Sequence, residues 1–213
     1  GPGIDRGLFT VAAGAGGTAV ATGSHVNVPS VRIPVNIKVK PGQEIGVFAE
    51  ILGNDMGTHE AGVTLEFGTE PGPGGEILGE VTVEGDITAV DTLTRLTAQG
   101  SVTAPSRLTP PDAKILKRVI YAIHSDAAAD GEVTYILRLG GDAMRGGEQT
   151  IILGAESWID VAAGGDGNGP SMPPQILDNL DLEIAPGETL DISVEMAGVD
   201  VGTATAVVTV MFA

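Results

Sequence analysis

Asp181-Leu-Glu-Ile-Ala-Pro-Gly-Glu-Thr-Leu-Asp-Ile-Ser-Val-Glu-Met-Ala-Gly-Val-Asp-Val-Gly-Thr203 decides the fold, because the chain carries its pattern twice. The earlier copy is Asn36-Ile-Lys-Val-Lys-Pro-Gly-Gln-Glu-Ile-Gly-Val-Phe-Ala-Glu-Ile-Leu-Gly-Asn-Asp-Met-Gly-Thr58. Laid together without a gap, Pro41 meets Pro186, Gly42 meets Gly187 and Glu50 meets Glu195. Gly53, Asp55, Gly57 and Thr58 meet Gly198, Asp200, Gly202 and Thr203, and the register runs on through Ala61/Ala206, Val63/Val208, Thr64/Thr209 and Phe67/Phe212. Punctuating glycines, a proline and a core-type Phe agreeing at one constant offset mark an internal duplication. Each copy reads as strand, Pro-Gly turn, strand, Gly-x-Asp-x-Gly turn, strand. Proline presets the first central position of a type II turn and glycine takes the positive φ of the second.

The echo of Thr10-Val-Ala-Ala-Gly-Ala-Gly-Gly17 in Asp160-Val-Ala-Ala-Gly-Gly-Asp-Gly167 carries the repeat upstream. Pro71-Gly-Pro-Gly-Gly75 is the expected junction. It divides the chain into a first β unit, 1–70, and a larger second one, 71–213, which contains the repeat at 155–213; one continuous double sandwich is the alternative division. The Gly-Pro-Gly start is read as a processing scar and left out of the fold.

Val31 to Val39 alternates apolar with polar residues, the period of a half-buried strand. Pro34 donates nothing to a ladder, so this strand is expected at an edge or broken there. Residues 76–90, 92–104 and 133–139 read as strands, as do 150–153 and 159–163, while Pro105 to Pro111 breaks the chain. Ala113 to Ile123 fits one helical face, yet Val119-Ile-Tyr-Ala-Ile123 suits a buried strand equally well; strand is preferred. The closing run Thr205 to Phe212 is expected to be paired in a sheet or offered to a neighbour. Short alternating strands between regular turns predict an all-β fold, an antiparallel β-sandwich or jelly roll with an internally duplicated unit.

A chain of 213 residues buries a substantial core, and with 3 % aromatics that core is built from Val, Ile, Leu and Ala. No cysteine means no disulfide and no thiolate chemistry. A net charge of −17 repels phosphate backbones, so direct nucleic-acid binding is not expected. No apolar run approaches the roughly 18 residues of a membrane span.

Candidate chemistry is thin. His25, His59 and His124 lie far apart, without the close spacing of strong metal sites. Gly23-Ser24-His25 lacks the nucleophile elbow, and Gly14-Ala-Gly-Gly17 lacks the pattern of a dinucleotide loop. Asp126, Asp130 and Glu132 form one oxygen-rich loop and Asp166 lies in another, Gly164 to Gly169, so Asp126, Asp130 and Asp166 are the calcium candidates. Solvation of surface carboxylates explains them as well. Asp55 and Asp200 in the repeated turn are read as acceptors for their own backbone amides, and Glu50 and Glu195 as outward-facing residues.

Two related β units in one acidic, cysteine-free chain resemble the doubled jelly-roll arrangement of some viral coat proteins. The resemblance is of architecture and covers the whole chain, without a family-specific sequence motif or the basic arm by which many coat proteins hold nucleic acid. It implies a self-assembling structural subunit, a capsid or coat protein in a virion, whose partners are copies of itself. An extracellular filament or tubule subunit is one alternative. A carbohydrate- or cell-surface-binding sandwich is another, in which Trp158 and Tyr135 would supply the aromatic platform. No enzymatic activity and no cofactor beyond calcium is expected.

Overall fold

The computed structural model describes residues 10–13, 32–49, 62–70, 72, 75–98, 106–127, 131–158, 174–198 and 202–213. Eleven strands form among them: β1 (Gly79–Ile87), β2 (Leu93–Arg95), β3 (Thr97–Ala98), β4 (Ser106–Leu108), β5 (Ile115–Ala127), β6 (Gly131–Gly140), β7 (Gln149–Trp158), β8 (Gln175–Leu177), β9 (Leu182–Glu183), β10 (Thr189–Gly198) and β11 (Gly202–Phe212). No described residue is helical.

One sheet runs β3-β1-β11-β5-β8, with β9 also on the β5 edge; the other runs β2-β10-β6-β7, with β4 sharing the β10 edge with β2. Every strand-to-strand ladder is antiparallel. Setting aside the two-residue β3 on the β1 edge and counting β2 with β4 and β8 with β9 as single lanes, eight lanes remain: the first pairs with the last, the second with the seventh, the third with the sixth and the fourth with the fifth. That nesting is a long two-stranded ribbon rolled into two facing sheets, the jelly roll.

Alternation builds the core. In β6, Val133, Tyr135, Leu137 and Leu139 are buried, and Thr134, Ile136 and Arg138 between them are half-buried. From β10, Leu190, Ile192, Val194 and Met196 join the same cluster, met from the opposite sheet by Val81, Val83, Val208, Val210 and Phe212. β5 breaks this rhythm, since every residue from Arg118 to Ile123 is buried. Burial on both faces erases the period of two, which is why 113–123 read ambiguously; the strand reading holds for Ile115–Ala127.

The second face of β5 is covered by the amino-terminal part of the chain. Ala12, Ile33, Val35 and Ile37 pack on Ile77, Ile120 and Met211. Thr10 donates its amide to Glu80 Oε1 at 3.0 Å, Ala12 donates to Thr209 Oγ1 at 3.1 Å, and the Thr82 hydroxyl donates to the Thr10 carbonyl. Residues 10–13 and 32–37 are therefore a strap across the outer face of the first sheet. Apart from a single bridge at Val39, residues 32–49 carry no strand pairing, so the strand expected from the alternation of Val31 to Val39 does not form in 32–39; its apolar positions pack as a strap instead.

The two Pro-Gly turns are alike. Gly42 has φ 74 and Gly187 φ 75, and each turn closes through an amide bonded to the carbonyl three residues back, Gln43 to Lys40 and Glu188 to Ala185. Around them the segments differ, for Leu182–Glu183 and Thr189–Gly198 lie in ladders whereas 36–49 and 62–67 form no strand. The duplication beyond the turns is thus a property of the sequence. One detail also differs from the sequence reading, and one alternative it left open is decided. Ser106–Leu108 pairs with β10 inside the stretch read as a break, bounded by Pro105 and Pro110. The closing strand β11 is central, held by β1 and β5 on its two sides, so it is not offered to a neighbour.

Candidate assembly surfaces

Arg118 organises the strap. Its position on β5, between inward Tyr121 and Val119 on one side and the strap on the other, leaves the guanidinium wholly enclosed. Nε and Nη2 donate to the two carboxylate oxygens of Asp178 at 3.1 and 2.9 Å, and Nη1 donates to the Pro34 carbonyl. This fork ties β5 to the turn after β8 and to the strap together. Hydrogen bonds from Arg118 hold the Asp178 carboxyl below its ordinary value, opposed by partial burial. Burial pushes the Glu80 carboxyl up, opposed by the amide of Thr10.

Beyond the strap the chain presents a second set of side chains. Val47, Phe48, Val63, Leu65 and Phe67 are exposed, Phe48 by 87 % and Phe67 by 67 %. At the register of the repeat, Val63 corresponds to Val208, Leu65 to Val210, Phe67 to Phe212 and Val47 to Ile192, and each of those counterparts is 0–1 % exposed. The same apolar pattern is core in one copy and solvent-facing in the other. Fully burying such a side chain is worth about 1.5–3 kcal/mol, so this arm holds a large unrealised driving force. An Arg32–Glu66 ion pair at 2.5 Å ties 62–70 back to the start of the strap.

Among the described residues the second sheet carries the other exposed large apolar side chains, Leu93 on β2, Leu108 on β4 and Ile152 on β7. Ten residues long, β7 pairs with β6 alone among the described strands, so its far edge has no described strand on it. Its ladder slips between Tyr135 and Ile136, which face Gly154 and Ile152, so Leu153 is the extra residue of a bulge. Tyr121 donates its hydroxyl to the Leu153 carbonyl across the core, pinning that bulge. On the outer face of the same sheet Arg138 bridges Glu195 at 2.8 Å and Glu148 at 3.2 Å.

Of the calcium candidates, Asp126 faces Thr203 in the β5–β11 ladder and its side chain is outside the described residues, as are Asp130 and Asp166 entirely. His25, His59, Asp55, Asp200 and Glu50 are outside them too, as is the side chain of His124. Among the described residues no three His, Asp or Glu side chains converge as metal ligands. Glu195 sits on the half-buried outer face, paired with Arg138, as its strand position suggested. Tyr135 is 2 % exposed in the core and is no sugar platform, because the odd positions of β6 point inward; the Trp158 side chain lies outside the described residues. A concavity of about 260 Å³ lined by Met144, Arg145, Gln149 and Leu182 falls below the roughly 300–1,000 Å³ of small-molecule sites. The sequence reading missed the arm's exposure and the enclosed Arg118; contrasting the two copies position by position is the signal that would have found the first.

Protein-family models and curated proteins give no match to this chain.

Proposed function

We propose that this chain is a structural subunit whose copies associate into a large homo-oligomeric assembly, a viral coat. The observation that carries the reading is the pairing of a jelly roll with an arm in which Val47, Val63, Leu65 and Phe67 match core positions of the same chain yet face solvent. A monomer gains nothing from that pattern; an assembly of copies buries it. The buried Tyr135 weighs against the carbohydrate-binding alternative. Nucleic acid is not a direct partner of so acidic a chain, and the setting is a virion or other extracellular assembly. Light scattering on size-exclusion fractions, with negative-stain imaging, tests the reading. Closed shells or large regular oligomers are the expected outcome, and a species that stays monomeric at the highest soluble concentration overturns it.

A further inference from the structure

We infer that residues Glu44–Ala49 of one copy add as a strand to the open edge of β7 in a second copy. The inference rests on the assembly reading above and specifies its contact. In the repeat, Glu44–Ala49 stands where Thr189–Val194 of β10 stands, and β10 is a strand of the sheet that β7 borders. The segment thus carries the side-chain pattern of that sheet without a place in it. Ile45 and Val47 match the buried Leu190 and Ile192, so on the β7 edge they extend the inner face beside Leu153 and Ile151. Phe48, on the opposite face, comes over the exposed Ile152, an aromatic on a β-branched residue.

The receiving edge fits. Open edges are ordinarily guarded by charge, proline or a bulge; Gln149 to Ala155 holds neither charge nor proline, and its one irregularity is the bulge at Leu153. Six extended residues reach about 20 Å, the length of Thr150–Ala155, and main-chain bonding to an edge needs no sequence match beyond alternating side chains. Donor and acceptor are different surfaces of one chain, so the contact is heterologous and propagates into a ring, shell or filament.

The test uses the full chain with Phe48→Asp in the arm and Ile152→Lys on the edge, both solvent-facing, with circular dichroism confirming the fold. In sedimentation velocity each variant alone is expected to lose association by about thirtyfold or more, the factor of a strong interface anchor. Leu108→Lys, on the opposite edge, is expected to assemble like the wild type. An equimolar mixture of the first two variants retains one good arm and one good edge, and is expected to give a one-to-one dimer that neither forms alone. If the wild type assembles and either variant assembles equally well, or the mixture stays monomeric, this inference falls and the assembly reading stands. A monomeric wild type, whose arm then serves its own chain or another protein, removes both.

Discussion

Arg118 shows how one side chain converts a sheet's second face from surface into core. Its guanidinium is enclosed, and Asp178 neutralises it from a position 34 % exposed. Removing one partner of a buried pair costs roughly 3–5 kcal/mol; Asp178 still reaches water, so Asp178→Asn is expected to cost about 2 kcal/mol, read as a lower urea midpoint at pH 7. A variant as stable as wild type would mean that the ion pair does not hold the strap. The pH dependence follows from the depressed carboxyl. Its contribution is fully present above the unfolded aspartate value, about 3.9, and is lost as pH falls through the lower folded value. The gap between wild type and variant therefore narrows below about pH 4. Glu80 acts in the opposite sense: raised by burial, it favours the fold at low pH and loses that contribution as pH climbs through its folded value.

At the scale of elements, strand periodicity was legible wherever one face stays in solvent, as in β6 and β10. It failed where the strap buries the second face, because a run such as Val119 to Ile123 loses its alternation, and no local pattern announces a cover that comes from residues 10–13 and 32–37. The repeated Pro-Gly turns were legible because glycine chemistry is local; the different fates of their flanking strands were not, since pairing partners lie far off in the chain. Gly141, where β6 turns, shows what such local rules enforce. It has φ 87, and a Cβ there would stand 2.6 Å from the Thr189 carbonyl oxygen, which already accepts the Ala143 amide. Gly147, with φ 82, has open space around it. Gly141→Ala is expected to cost about 3 kcal/mol and Gly147→Ala about 1 kcal/mol in denaturant melts. Equal costs would show that φ alone, and not the close approach to β10, sets the requirement.

For the whole molecule, a net charge of −17 sets copies against one another. The screening length falls from about 30 Å at 0.01 M salt to about 10 Å at 0.1 M, so association is expected to strengthen over that range, as measured by sedimentation across a salt series. An association that weakens with salt would point to contacts between opposite charges in place of apolar strand addition. The nested lanes have another consequence, which concerns the route to the native state. Gly79 lies beside Phe212 and Ile87 beside Ala204, so the sandwich's first strand finds its partner only at its far end. Ala213 is itself bonded to Lys114 and Ile115. The longest loop is closed only by the β1–β11 ladder, and proteins dominated by such distant pairings fold on the slow end of the scale, in milliseconds to seconds. While that closure is pending, the inner faces of both sheets are uncovered. The rate at which the ribbon rolls up thus competes directly with premature contact between chains.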